Sequence, residues 1–483
     1  IGPQGCEAFY TTCSLRFDMI DCKENWTGGP ILYLPPRPRP LPAVVSLLRA
    51  GMRGEGNLLD LLPGAAYRME IGTLGWSRRS TFIVNRPDLV RHVLIEREDM
   101  FPKSDLMVHA LKPLIGDSIF VSSGATWRRQ REMVDPALSM MRINRAFPAM
   151  AAGVDDCARH LSDRASRGEA FSLDLLMSHL TADIICRTVF STQRLDEGAA
   201  HDVFEAFTIF ERSVAQVEIK RLVLDKAWTD VPQKPEVLEA CRFIRAQIGA
   251  LLDESGQGCD DIARALAAAH DAQDVGFTRE ELIDQLGVLF LAGHETSASA
   301  LTWVFFILAS QPEIVARIRD EVRQICGEGP ITFEQTKKLV FTRNVFRETV
   351  RLYPPITFLP RVALEDSTIG GRFVKRGALI IVSPWVLHRH EKYWRDPDVF
   401  DPDRFLPERE GDMTPGAYIP FGTGPRICSG AAFASVEAVL IIARLIQSFD
   451  FTLAEDHPVR PAARLTTRPV KQVMCRVRQA GTR

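Results

Sequence analysis

The 483-residue sequence is short of several things, and each shortage closes off a class of protein. It has no excess of either charge, since 59 Lys and Arg stand against 61 Asp and Glu. No global field draws such a chain to nucleic acid or to an anionic membrane, so a charged partner must meet a local patch. Its ten cysteines include no C-x-x-C pair, which argues against a zinc site or a dense disulfide framework and for a reducing compartment. It shows no internal repeat, low-complexity tract or clean linker, so its length reads as one large domain. Nothing in it resembles a signal peptide, and the triplet Asn25-Trp26-Thr27 reads as a chance sequon. The expectation is a soluble, cytoplasmic protein, with room left for a membrane anchor upstream of Ile1.

Long apolar runs are scarce as well. Only Leu286 to Ala309 reads as long enough to cross a bilayer, and it carries a single formal charge, Glu295, beside His294. An ionisable group near the bilayer centre costs several kcal/mol, roughly 2.5–3.5 on insertion scales, whereas a helix through the middle of a soluble domain avoids that cost. The flanks are amphipathic rather than basic and aromatic, which favours the soluble reading.

What is present is mostly helical periodicity. It runs from about Pro87 to Ser310 and on to Tyr353, in segments such as PDLVRHVLIER, DDCARHLSDRAS, FSLDLLMSHLTADIICRTVF and PEVLEACRFIRAQIGALLDE. YRMEIG and TFIVN, between Ala66 and Asn85, alternate like a small sheet, and short strands including GALIIVS follow Ile356. WRDPDVFDPDRFLPE is irregular and rich in Pro and Asp, and the stiff segment PPRPRPLP starts at Pro35. The fold class is therefore mainly α with small β-sheets: residues 1–34 are an extension, residues 35–483 one large domain, and a long central helix crosses it. Thr278-x-x-Glu281 caps that helix and Pro312 opens the next, giving roughly 30 residues or ~45 Å.

Four clusters of residues carry chemistry. In FGTGPRICSG, Cys428 lies just ahead of a helix starting at Ala431, where free N–H groups and the helix dipole favour a thiolate. Gly422, Gly424 and Gly430 let the backbone approach closely and leave room for something flat, and Arg426 suits a carboxylate. The plain alternative is a structural cysteine in a Gly-rich turn. Glu348 and Arg351 are spaced i, i+3 on one helix face. Ala292-Gly293-His294-Glu295-Thr296-Ser297 puts a carboxylate and hydroxyls in the middle of an apolar helix, where a hydroxyl bonded to the i−4 carbonyl, together with Gly293, opens the helix for a small molecule. Trp127-Arg128-Arg129-Gln130-Arg131 is a basic cluster on a helix.

The pattern Phe421-x-x-Gly424-x-Arg426-x-Cys428-x-Gly430 resembles the haem-binding loop of the cytochrome P450 family, and the other three clusters follow in that family's order and spacing. The resemblance covers the chain from about Pro35. It implies a cytochrome P450 fold with a single haem domain, haem b as cofactor, Cys428 as proximal iron ligand, Phe421 beside the sulfur, and Arg426, Trp127, Arg131 and Arg361 on the haem propionates. It implies a buried Glu348–Arg351–Arg404 network that locks the irregular segment behind the haem. It implies an oxygen groove in which Thr296 holds the reacting oxygen and Glu295 relays protons. His109 is assigned a propionate or substrate contact. Leu289, Phe290, Ala292, Ile356, Phe358 and Leu465 line the pocket, and their apolar character points to a hydrophobic substrate.

The function so implied is a haem-thiolate monooxygenase. It takes O2, inserts one oxygen atom into a hydrophobic small molecule, and receives electrons from a separate ferredoxin with its reductase or from a flavoprotein reductase. The 55 residues after Cys428 leave no room for a fused donor, and Arg128 and Arg129 are read as facing an acidic one. A peroxygenase and a haem-based sensor are the alternatives; the acid–threonine pair and the lack of any signalling domain stand against them.

Overall fold

In the computed structural model the central apolar stretch is one helix of 30 residues, Arg279–Leu308. Thr278 caps it: its hydroxyl accepts from the Glu281 N–H at 3.1 Å, and the Glu281 carboxylate accepts from the Thr278 N–H at 2.9 Å. Two donors left orphaned by helix geometry are satisfied this way. The helix has no polar face, as befits one that runs through a domain interior rather than along its surface.

The structure describes residues 33–38, 57–74, 81–190, 203, 206–210, 213, 233–254, 262–271, 276–455 and 458–481. The extension expected over residues 1–34, the Asn25 sequon and most of the Pro35–Pro42 segment lie outside these. Tyr33 and Leu34 do not belong to an extension: the compact unit spans Tyr33–Arg483, and the Tyr33 carbonyl accepts from the Phe400 N–H at 3.0 Å.

The principal helices are α1 (Asp105–Ile115), α2 (Gly124–Ala137), α3 (Met140–Arg167), α4 (Leu173–Val189), α5 (Pro235–Glu254), α6 (Ile262–Asp271), α7 (Arg279–Leu308), α8 (Pro312–Cys326), α9 (Phe333–Lys338), α10 (Val340–Leu352) and α11 (Ala431–Ser448). The strands are β1 (Ile71–Leu74), β2 (Thr81–Val84), β3 (Phe171–Ser172), β4 (Leu359–Val362), β5 (Ser367–Ile369), β6 (Arg372–Val374), β7 (Leu379–Val382), β8 (Phe449–Leu453), β9 (Pro461–Ala463), β10 (Thr467–Pro469) and β11 (Met474–Gln479). They form four small sheets, ordered β1-β2-β7-β4, β3-β11-β8, β9-β10 and β5-β6. Within the largest, β2 and β7 run parallel with Val84 opposite Val382, so the two β regions read from the sequence join in one sheet.

The larger core gathers around α7. Trp303 stacks on Tyr353 of the segment after α10 at 4.0 Å and 2°, and its indole N–H donates to the Thr467 carbonyl at 2.7 Å. A stacked aromatic pair with its polar atom satisfied contributes about 0.5–1.5 kcal/mol beyond its buried area. A smaller core packs β2 and β7 on Leu89–Leu94.

Three details differ from the sequence reading. Phe171 and Ser172 are not helical: they pair with Cys475 and Met474, and Ser172 caps α4 by accepting from the Leu175 N–H. Among the described helices Ala431–Ser448 has the composition of a membrane span by itself, with 61% of that window buried in the fold, whereas Arg279–Leu308 reaches it only together with Pro312–Cys326, across a 109° bend. Gly293 does not open α7, which runs unbroken; a Cβ there would sit 2.5 Å from Ile185 Cδ1, so the missing side chain is space taken by α4.

Candidate active site

The site begins with a turn only glycine makes easily. Gly422 and Gly424 have φ of 73° and 77°, and a Cβ on Gly424 would meet the Leu94 carbonyl oxygen at 2.7 Å. This bends Thr423–Ile427 against the His92–Glu96 turn and delivers Cys428, whose N–H donates to the Phe421 carbonyl at 2.9 Å, to the start of α11. Gly430, the α11 N-cap, has an ordinary φ of −86°, and a Cβ there would lie 3.8 Å from Cys428 Sγ; its contribution is room beside the sulfur, not backbone freedom.

Cys428 is exposed, the only such cysteine among the described free ones. The thiolate expected from the helix terminus is not what the protein alone favours. Surrounding protein raises the thiol, and the Gly430 N–H and Arg131 only partly oppose that. A positive centre at the sulfur is needed to make the thiolate its resting form.

On α7 a second surface opens. Leu289, Gly293 and Thr296 are half-buried and Ala292 exposed on an otherwise buried helix, and the spacing i, i+3, i+4, i+7 makes them one stripe. The Thr296 hydroxyl donates to the Ala292 carbonyl at 2.6 Å. Phe290 departs from the pocket expectation. It lies about 200° around the helix from Ala292 at 100° per residue. There it stacks on His294 at 5.8 Å and lines a cavity of about 820 Å³ between α3, α4 and α7 that neither Cys428 nor Thr296 touches. His294 is pushed down to about 4 by burial, and neither ring nitrogen has a partner.

Ile356, Phe358 and Leu465 are all half-buried, and a 3.0 Å hydrogen bond between the Thr357 and Thr467 hydroxyls draws their two segments together. Thr467 is in turn fixed to α7, because its carbonyl also accepts from the Ser299 hydroxyl at 2.8 Å. His109 is half-buried on α1 and takes no part in the polar contacts described next.

Four cations crowd one place. Arg426 stacks on Trp127 at 4.1 Å, donates to Glu98 at 2.8 Å and to the Ser122 carbonyl at 2.8 Å. Arg131 donates to Asp135 and to the Ile427 carbonyl, both at 2.7 Å. Arg361 on β4 is buried, its described bond going only to the Pro360 carbonyl. Lys103, which sequence reading missed, reaches the Phe120 carbonyl with its ammonium, while its backbone forms an isolated β-bridge with that of Arg361.

Burial, followed by the neighbouring Arg426, pulls Arg361 down to about 10. Burial and the same neighbours push Lys103 well below the usual ammonium range. Glu98 and Asp135 are the carboxylates among these cations, and both are already engaged. Two further carboxylates would balance the group. A ligand with two acid groups and a flat body that accepts a sulfur donor fits these residues, and haem has that chemistry.

The remaining predicted residues form a separate cluster. Glu348 and Arg351, fully buried, exchange two bonds of 2.7 Å, and Arg404 donates to Glu348 at 3.1 Å. The spare guanidinium donors bind carbonyls of His388, Arg395, Asp396, Pro397 and Val399, so the arginines pin the irregular segment. His388 belongs here: it bonds the Arg351 carbonyl at 3.1 Å and accepts from the Ile419 N–H at 2.9 Å. Arg129 does not face outward; it is held by Glu281 and the Gly276 carbonyl, leaving Arg128 exposed.

Glu295 is turned away from the Thr296 stripe. Arg468 donates to both its oxygens, at 2.9 and 2.6 Å, and Thr466 donates at 2.6 Å. Sequence reading also missed Glu437, a buried acid of α11 that bonds Ser297 at 2.7 Å. A carboxylate inside the apolar run AAFASVEAVLIIARLI was the available signal.

Comparison with known proteins agrees with this geometry. The family model described as Cytochrome P450 matches residues 35–476. LUTEIN DEFICIENT 5 of Arabidopsis thaliana is 29% identical, over 93% of this chain and 77% of that protein. Cyclooctatin synthase and cyclooctat-9-en-7-ol 5-monooxygenase of Streptomyces melanosporofaciens are 30% and 31% identical, over 82% and 80% of this chain and 86% and 83% of theirs. The crystal structure of the cytochrome P450DA heme domain shares the fold, with a TM-score of 0.73 at 24% identity over 85% of this chain and 90% of that one. Membership implies a haem, O2, an organic substrate and a redox partner. The chain belongs to the cytochrome P450 family and is a P450 oxidoreductase.

Proposed function

We propose that the protein is a haem-thiolate monooxygenase that hydroxylates an apolar small molecule with electrons from a separate donor, a ferredoxin or a flavoprotein reductase. The observation that carries this reading is the exposed Cys428 together with four cations short of carboxylate partners. Cys428 would hold the iron, Phe421 and Gly430 would flank the sulfur, and Trp127, Arg131, Arg361, Arg426 and Lys103 would bind the two propionates. Haem b suits a sequence with no C-x-x-C pair for covalent attachment. When bound, the haem supplies O2 activation and oxygen transfer to a C–H bond.

The chain's own residues supply the rest. Thr296 offers a hydroxyl on the open stripe of α7, and Ala292 and Leu289 exclude water beside it. Ile356, Phe358 and Leu465 give a substrate apolar walls. Glu348, Arg351 and Arg404 hold the segment that leads to the Cys428 loop. Exposed Arg128 is a contact for an acidic donor protein. An apolar substrate is further supported by relatives named for an unsaturated alcohol, for pentalenene and for ultra-long-chain fatty acids. The mostly buried α11 supports a soluble haem domain.

Replacing Cys428 by His or Ala tests the reading. A ferrous–CO Soret band that moves from the parent position supports it; a band that stays where it was overturns it.

A further inference from the structure

The cavity of about 820 Å³ between α3, α4 and α7 takes no part in the site described so far. His294 reaches it from α7, two residues before Thr296 and so about 200° around the helix from the open stripe. Small-molecule sites span about 300–1,000 Å³, and this cavity lies within that range. Exposed His160, Asp163 and Arg164 also line it, so solutes can enter from water.

Around His294 the lining is aromatic. Phe207 meets the imidazole edge-on at 5.4 Å and Phe290 stacks on it at 5.8 Å. The residue is 2% exposed, and neither ring nitrogen has a hydrogen-bond partner among the described residues. Leaving a buried donor and acceptor unmade is costly, and a ligand that satisfies them recovers that cost. Behind the ring the backbone is fixed: the Thr181 hydroxyl donates to the His294 carbonyl at 3.1 Å, and Ile185 abuts Gly293.

The other polar groups say what charge such a ligand carries. Burial pushes His294 down to about 4, so near pH 7 the ring is neutral, with one nitrogen a donor and the other an acceptor. Burial also pushes the lining thiols of Cys157 and Cys186 up to about 12, which leaves them uncharged. Asp156 and Asp183 both accept from Arg187, at 2.7 and 2.8 Å. Among these groups neither a carboxylate nor an ammonium finds an uncommitted counter-ion. A hydroxyl needs none, and it can both accept from and donate to a neutral imidazole.

We propose that this cavity is a second binding site, for an uncharged apolar alcohol that seats its hydroxyl on His294 and its body against Phe207 and Phe290. The inference goes beyond the monooxygenase reading and does not depend on it, since the cavity touches neither Cys428 nor Thr296.

The test titrates the ferric holoenzyme with 2-naphthol. Calorimetry registers all binding, whereas the Soret band responds to ligands in the haem pocket, so the expected result is a calorimetric site that leaves the Soret band unmoved. His294→Phe keeps a ring but loses both nitrogens, and it weakens this site about 10-fold, while His294→Asn, which retains a donor and an acceptor, stays within about threefold of the wild type. Naphthalene binds about 10-fold more weakly than 2-naphthol and equally well to the wild type and His294→Phe, because it has no hydrogen bond to lose. Leu176→Trp adds bulk to the α4 wall of the cavity, removes the site and leaves any Soret response intact.

The proposal is overturned if all 2-naphthol binding moves the Soret band, if His294→Phe binds as tightly as the wild type, or if 2-naphthoate binds the site as well as 2-naphthol does. Should His294→Phe fail to fold, Leu176→Trp decides, and an unchanged Soret-silent affinity in that variant overturns the site.

Discussion

Two arginine clusters, one buried around Glu348 and one partly buried around Arg361, are built on opposite plans. Around Glu348, one carboxylate is bound by two arginines whose other donors end on backbone carbonyls, so the cluster is complete within the protein. Around Arg361, four cations meet two carboxylates already in use, and burial depresses Lys103 and Arg361. The same residue type is a lock in one place and a receptor for acidic groups in the other. Donor satisfaction, not charge ratio, separates the two roles, since both clusters carry two cations per carboxylate: a cluster whose spare donors end on several carbonyls specifies structure, whereas one whose cations are left under-partnered specifies a ligand.

The comparison breaks most readily at the lock. Glu348→Gln leaves Arg351 and Arg404 without their carboxylate, and a loss of about 3–5 kcal/mol is expected, seen as a large fall in thermal midpoint and in haem content. Arg351→Lys gives most of that loss, because an ammonium cannot span Glu348 and three carbonyls.

At the Arg361 cluster, opposite signs are expected. Arg361→Leu, or Lys103→Met at its half-buried neighbour, removes a cation that lacks a carboxylate partner, so the haem-free protein keeps or gains stability, while haem transfer to an apo-globin acceptor speeds by about 10–100-fold, the loss of one charged hydrogen bond of roughly 1.5–3 kcal/mol. Loss of stability in the haem-free variants would show that these cations are structural after all.

A third expectation sharpens the lock. Burial holds His388 down to about 3, against about 6.5 when unfolded, so the unfolded chain binds the extra proton first. Stability is full above pH 6.5 and falls as pH drops towards 3, by up to about 1.4 kcal/mol per unit for this one residue. The slope of denaturant midpoint against pH reads it, and His388→Asn flattens the limb. The smallest effect lies away from both clusters. Gly293→Ala drives a Cβ into Ile185 and costs about 1–3 kcal/mol, with Ile185→Val recovering part by removing the Cδ1 atom it strikes.

Much of this was legible in the sequence where chemistry is local. The capping box at Thr278, the 30-residue helix and the i, i+3 pair of Glu348 and Arg351 depend on neighbours a few positions apart, and all three stand in the structure. Phe171 read as helix because its apolar period continues that of α4, but its backbone is claimed by Cys475, some 300 residues on. Lys103 and Arg468 carried no local signal at all: each gains meaning from a partner on another element, Arg361 for one and Glu295 for the other. Glu295 marks the same limit from the other side. Spacing beside Thr296 suggests a relay, and only the position of β10 turns the carboxylate away.

The β3–β11 pairing also bears on how the chain is made. Phe171–Ser172 meets its partner strand only after residues 474 and 475 have been synthesised, and at ribosomal rates of about 5–20 residues per second that is a wait of roughly 15–60 s. Through that interval the nascent polypeptide carries an open strand edge ahead of α4, a natural place for a chaperone to hold it.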